Sequence, residues 1–181
     1  MKVIIAEKPS VAQQIAAVVG ATARKDGYIE GGGYAVTWAF GHLVGPAMPE
    51  AYGIEGFKRE NLPILPETFV LEPRRVKSGK EYKPDPGAVK QLAVLKELFS
   101  RTERIVVATD AGREGELIFR FIYHYLDCKT PFDRLWISSL TERAIREGLA
   151  NIRPGSEYDD LYLSARARCE ADWIVGILSL I

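Results

Sequence analysis

Hydrophobic and polar positions change period repeatedly along the 181-residue chain. Residues 3–6 (Val, Ile, Ile, Ala) form a short unbroken apolar run rich in β-branched side chains, the mark of a strand buried on both faces. Pro9 follows at a helix first turn, and Val11, Ile15, Val18 and Val19 then recur at helical spacing until Gly20 closes the helix. Residues 28–30 and 34–40, separated by Gly31-Gly32-Gly33, predict a β-hairpin. Pro46, Pro49, Pro63, Pro66, Pro73, Pro84 and Pro86 punctuate residues 45–87, which predicts irregular connection. Beyond it the spacing predicts a helix over 87–99, a buried strand over 105–109, a polar glycine-containing loop over 110–115 and an apolar helix over 117–126. A strand over 135–138 and helices over 141–152 and 159–178 follow. Strands alternating with helices predict an α/β fold of parallel βαβ units, with a sheet covered on both faces.

Composition narrows the class. With 47% hydrophobic and 27% charged residues the chain is an ordinary globular sequence, not a disordered or fibrous one. Folding at this size buries roughly 70% of the unfolded surface, so a core forms without staples. Lys+Arg and Asp+Glu number 24 each, which excludes wholesale coating of a polyanion but not a local basic face. Such a face is offered by Arg74, Arg75, Lys77, Lys80 and Lys83, a run that also reads as a solvated loop. Cys128 and Cys169 make neither a disulfide framework nor a zinc motif. The N-terminus turns polar after five residues and no 18-residue apolar run exists, so a soluble cytoplasmic protein is expected.

The candidate chemistry lies in carboxylates. The first strand runs into Glu7-Lys8 and the 105–109 strand into Asp110, and ligands of open parallel sheets bind beyond the carboxyl ends of strands. If the two strands are neighbours, Glu7 and Asp110 converge, with Glu114 four residues further on. Hard oxygen ligands of this kind suit Mg²⁺, which takes one or two carboxylates plus waters and a phosphate. Lys8 offers a point charge to that phosphate. Each residue also has a plainer reading: Glu7-Lys8 as helix-entry charges, Asp110 as an N-cap, Glu114 as a first-turn acid. No P-loop or dinucleotide fingerprint is present, and neither His42 nor His124 has metal-ligand spacing.

Five stretches in order then carry a resemblance. They are Ile4-Ile5-Ala6-Glu7-Lys8-Pro9-Ser10, Trp38-Ala39-Phe40-Gly41-His42-Leu43, Asn61-Leu62-Pro63-Ile64, Ala108-Thr109-Asp110-Ala111-Gly112-Arg113-Glu114-Gly115-Glu116, and a pair near the end, Ala165-Arg166-Ala167-Arg168 with Ala171-Asp172-Trp173-Ile174-Val175-Gly176. Together they resemble the N-terminal Toprim domain of bacterial type IA DNA topoisomerases of the topoisomerase III kind. The resemblance spans nearly the whole chain, with residues 74–87 as a local insertion. It implies a Rossmann-like parallel sheet with helices on both faces over 1–156, including the β-hairpin. Residues 157–181 would be a long C-terminal helix beginning the next domain. It implies Mg²⁺ at Glu7 and Asp110, with Glu114 matching the acid that follows the family's Asp-x-Asp pair. Gly112 stands where the second Asp of that pair is expected, leaving open whether one ion binds or two. Lys8 matches a lysine acting on the scissile phosphate, Phe57 an aromatic residue contacting DNA, and Arg168 and Asp172 residues of a helix facing single-stranded DNA.

The resemblance further implies an enzyme that cleaves one DNA strand with a tyrosine, passes a strand and reseals the break, with the nucleophile in a separate domain. None of the eight tyrosines here follows a carboxylate-bearing strand, so the 181 residues are expected to be inactive alone and to work with the remaining domains of a longer enzyme. Two other readings stay open: a self-contained Toprim nuclease or primase-like enzyme, and a single-stranded-DNA binding module indifferent to Mg²⁺ beyond charge screening.

Overall fold

Strand β1 (Lys2–Ala6) buries every residue after the first, as its unbroken apolar run requires. The structure, a computed structural model, describes residues 1–54 and 58–179. Helix α1 (Pro9–Val19) begins on Pro9 and ends at Gly20, whose positive φ lets its N–H cap the Ala16 carbonyl. Strands β2 (Ala23–Lys25), β3 (Tyr28–Gly31) and β4 (Tyr34–Trp38) form an antiparallel meander around the predicted glycine turn. Next come β5 (Val44–Pro46), β6 (Leu71–Pro73), β7 (Arg75–Ser78), β8 (Glu81–Pro84) and α2 (Pro86–Ser100). The remainder is β9 (Ile105–Ala108), α3 (Arg113–Tyr125), β10 (Phe132–Arg134), α4 (Glu142–Ala150), β11 (Arg153–Pro154) and α5 (Asp159–Ser179).

The main sheet has seven strands in the order β11-β10-β9-β1-β4-β3-β2. Its centre, β10-β9-β1-β4, is parallel, and the edges are antiparallel, so the expected parallel sheet is present within a mixed one. Alternation along β1 divides the core in two. Val3 and Ile5 face α2, α3 and α5 through Leu92, Leu95, Phe99, Ile118, Phe119, Ile122 and Tyr162. Ile4 and Ala6 face α1 and α4 through Val11, Ile15, Ala16 and Ile145. Helices therefore cover both faces. Among the described residues no helix is long and apolar enough to cross a membrane.

Three expectations need correction. The strand predicted over 135–138 lies instead at Phe132–Arg134, paired in parallel with β9. Its Phe-Asp-Arg sequence hides it, because Arg134 turns a fully buried guanidinium into the interior. Residues 45–87 are not all irregular: β5 pairs with β6, and β7 pairs with β8. The basic run is that second hairpin, invisible to period-2 analysis because all eight of its strand residues are exposed. Helix α3 begins at Arg113, four residues before its apolar stretch.

Candidate active site

Strands β1 and β9 are parallel neighbours, with Ala6 opposite Ala108, so the chain leaves both strands at the same, carboxyl end of the sheet. There the Glu7 carboxylate, only 9% exposed, accepts a hydrogen bond from the Asp110 N–H at 3.3 Å. This bond crosses between strands, so Glu7 is not merely a helix-entry charge. The residue at the α3 N-cap is Gly112, so Asp110 is not the cap either; its side chain is exposed. Lys8, extended just before α1, is exposed and makes no ion pair among the described residues.

The Asp110 loop is fixed from below. Arg134, wholly buried, donates to the carbonyls of Asp110 at 2.8 Å, Thr109 at 2.7 Å and Val107 at 3.1 Å. Its Nε binds Glu116 at 2.9 Å, and the other Glu116 oxygen accepts from Arg120 Nε at 2.8 Å. Arg120 goes on to the Gly155 carbonyl and to Asp159 at the start of α5. Burial pulls the Arg134 pKa below its ordinary value, and the Glu116 charge opposes that pull. Thr109 Oγ1 donates to the Gly115 carbonyl at 2.7 Å, closing the loop on itself. Gly115 is required by close approach: a Cβ there would collide with the Asp110 carbonyl.

Glu114, in the first turn of α3, contacts His42 Nε2 through its Oε1. His42 reaches it because β4 runs parallel to β1 and the chain then turns through Phe40 (φ 42°) and Gly41 (φ 73°). A positive φ at a residue with a Cβ is uncommon and marks a constrained bend. Gly41 N–H donates to the Glu7 carbonyl at 3.2 Å, so the bend is tied to the acid-bearing strand end. His42, Arg113, Glu114, Leu117, Ala165, Arg168, Cys169 and Asp172 line a groove of about 510 Å³. Desolvation raises the Cys169 thiol pKa, leaving it a poor nucleophile.

The structure thus brings Glu7 to Asp110, and Arg168 and Asp172 to Glu114. Arg168 and Asp172 stand 3.8 Å apart on α5, 71% and 75% exposed. Phe57 lies outside the described residues. Among the described residues no three His, Cys, Asp or Glu side chains form a metal cluster. The donor set still suits hydrated Mg²⁺: two residues with hard carboxylates at the carboxyl ends of adjacent strands, Glu7 nearly buried with a single long hydrogen bond among the described residues. Sequence reasoning missed His42, Arg134, Glu116 and Arg120. A detectable signal was Glu116 and Arg120, four apart within the apolar run of α3.

Residues 2–140 match the Toprim domain family. The chain is 49% identical over 177 residues to DNA topoisomerase 3 of Bacillus subtilis (strain 168). It is 48% identical over 178 residues to DNA topoisomerase 3 of Bacillus cereus (strain ATCC 14579). Each alignment covers 97% of this chain and 23% of the relative, so the chain spans about a quarter of those proteins' length. Among solved structures, full-length topoisomerase I from Thermotoga maritima shares the fold. The TM-score is 0.61 at 24% identity, covering 96% of this chain and 24% of that one.

Proposed function

The chain belongs to the Toprim family, and we propose that it is the metal-binding Toprim part of a type IA DNA topoisomerase acting on single DNA strands in the cytoplasm. The observation that carries this reading is the meeting of Glu7 and Asp110 at the ends of adjacent parallel strands. Glu7 and Asp110, with Glu114 within reach from α3, would hold Mg²⁺, which supplies charge neutralisation at the scissile phosphate when bound. Lys8 stabilises charge developing on the phosphate oxygens. Glu7 moves a proton at the leaving 3′-oxygen. Arg168 takes a backbone phosphate, with Asp172 holding its guanidinium in place between encounters. Phe57 adds an aromatic contact to the DNA. The tyrosine nucleophile and the enclosure for a passing strand belong to further domains, toward which residues 157–181 lead.

The test is calorimetric titration of Mg²⁺ into the wild-type chain and the Glu7→Gln, Asp110→Asn double variant. Weak binding by the wild type, strengthened by a single-stranded oligonucleotide and abolished in the variant, is expected. Equal affinities would place the metal elsewhere.

A further inference from the structure

The β7–β8 hairpin has no packing role in the core: all its strand residues are exposed. A free two-stranded ribbon is marginal in water, yet this one is pinned at its root. Asp85 accepts from Arg74 Nε at 2.7 Å and pairs with Nη2 at 2.6 Å. The backbone closes alongside, Asp85 N–H to the Arg74 carbonyl and Arg74 N–H to the Leu43 carbonyl, each at 2.8 Å. Asp85 also caps α2 through Gly87. A solvated loop would need none of this.

The register assigns the ribbon's two faces. Arg75 opposes Pro84 and Lys77 opposes Tyr82, while Val76 opposes Lys83 and Ser78 opposes Glu81. Side chains of directly opposed residues share a face. One face therefore carries Arg75, Lys77, Tyr82 and Pro84, its nearest acid being Glu72 of β6, 3.6 Å from the Arg75 guanidinium; the other carries Val76, Ser78, Glu81 and Lys83, the last two an ion pair at 3.4 Å. Tyr82 is 63% exposed, unusual for a large ring with no partner to cover it. Lys77, with no ion-pair partner among the described residues, and Arg75, held only by a long 3.6 Å contact to Glu72 that a phosphate can replace, stand beside an open aromatic ring: charge for phosphates and a platform for a base.

The root points toward the active site. Arg74 Nη1 donates to the Phe40 carbonyl at 3.4 Å, two residues from His42, and its guanidinium lies over the Phe40 ring. A second groove, of about 330 Å³, is lined by Arg74, Arg75, His42 and Cys169 among others. It shares His42 and Cys169 with the groove that holds Glu114 and Arg168. The two grooves adjoin at His42 and Cys169, and the second reaches the root of the ribbon at Arg74 and Arg75.

We propose that the Arg75–Lys77–Tyr82 face of the β7–β8 ribbon is an accessory binding site for single-stranded nucleic acid, extending the track that begins at Arg168. The proposal rests on the DNA-binding part of the function above, but not on its metal.

The experiment is fluorescence anisotropy of the 181-residue chain with labelled oligo(dT), across a KCl series in EDTA. Circular dichroism checks the fold of each variant. The Arg75→Ala, Lys77→Ala double variant is expected to lower the salt slope by about 1.4, since each single-strand phosphate contact contributes about 0.7. Tyr82→Leu is expected to weaken binding about fivefold or more with the slope unchanged, and Tyr82→Phe to retain it, as stacking requires a ring and not a hydroxyl. Lys83→Ala, on the opposite face, is expected to leave the slope unchanged. An unchanged slope in the double variant, an equal loss in Lys83→Ala, or equal losses in both Tyr82 variants overturns the proposal. Displacement of the DNA by polyglutamate at matched charge also overturns it, assigning the ribbon to an acidic protein partner. An Arg168→Ala effect with silent hairpin variants sinks the ribbon site and leaves the strand-binding reading standing. Loss of Mg²⁺ binding leaves both untouched, because no metal is present.

Discussion

Replacing Glu116 by Ala removes the only carboxylate that both Arg134 and Arg120 share. Glu116 and Arg134 are wholly buried and Arg120 nearly so. Arg134 keeps its carbonyl acceptors and Arg120 keeps Asp159, so hydrogen bonding is only partly lost. The charge balance is not kept: the network loses the anion its two guanidinium groups share, and Arg134 is left with no carboxylate partner among the described residues. Breaking one side of a buried ion pair costs about 3–5 kcal/mol. For a chain of this size that lowers the melting temperature by about 6–20 °C, at about 2–4 °C per kcal/mol. Glu116→Gln preserves volume and one acceptor, and its expected loss is smaller, about 1.5–3 kcal/mol, the worth of a charge-assisted hydrogen bond. The assay is urea unfolding followed by circular dichroism, paired with Mg²⁺ calorimetry, because Arg134 also holds the Asp110 carbonyl. The order wild type, Gln, Ala is expected in both stability and metal affinity. A Glu116→Ala protein within about 0.5 kcal/mol of wild type, the range of neutral surface substitutions, would refute the view that this network supports the site.

Three further outcomes are expected. Gly115→Ala forces its Cβ into the Asp110 carbonyl and should destabilise by about 1–3 kcal/mol while weakening Mg²⁺ binding, both read by melting and calorimetry. The hydrogen bond from Arg74, its largest cause, holds the Asp85 pKa below the ordinary carboxylate range. Its stabilisation is therefore complete above that range and is lost as pH falls through the depressed value, so Asp85→Asn should destabilise at pH 7 and converge with wild type in acid melts. Arg168→Ala should lower the salt slope of oligonucleotide binding by about 0.7 with little effect on melting, since its pair with Asp172 is exposed.

The elements legible in the sequence were those whose physics is local. The 3–6 run, the Pro9 start and Gly20 stop of α1, the glycine turn before β4 and the apolar stretch of β9 each signal their structure within a few residues. The positions of Glu7 and Asp110 at strand ends were legible for the same reason. Their meeting was legible only on the condition that the two strands are neighbours, or through the family resemblance, because it depends on β9 pairing with β1 across about 100 residues. Arg134, Glu116 and Arg120 escaped notice because a charged residue reads as surface unless its partner is known, and Arg134 finds Glu116 only in space. The β7–β8 ribbon escaped because neither of its faces is buried. His42 was read as a histidine without ligand spacing, whereas its place is set by a left-handed bend at Phe40-Gly41, which sequence periodicity does not register.

The site's acids and cations are held in opposite ways, and the difference bears on how a phosphate is received. Asp110 is anchored through its backbone to a buried guanidinium, so its position does not depend on whether ligand is present. Arg168 is held by one exposed carboxylate at 3.8 Å, an arrangement worth about 0–1 kcal/mol and screened by salt. An incoming phosphate can therefore displace Asp172 from Arg168 with almost no loss of folding energy, whereas no ligand of ordinary affinity could draw Arg134 from Glu116. Arg168 lines the α5 groove together with Glu114, which lies in the first turn of α3, four residues beyond Asp110. On the proposed strand-binding reading, the groove would offer a phosphate an exchangeable cation in Arg168, while the acid at Asp110 is held in place by its backbone, a division suited to capture by one and positioning by the other.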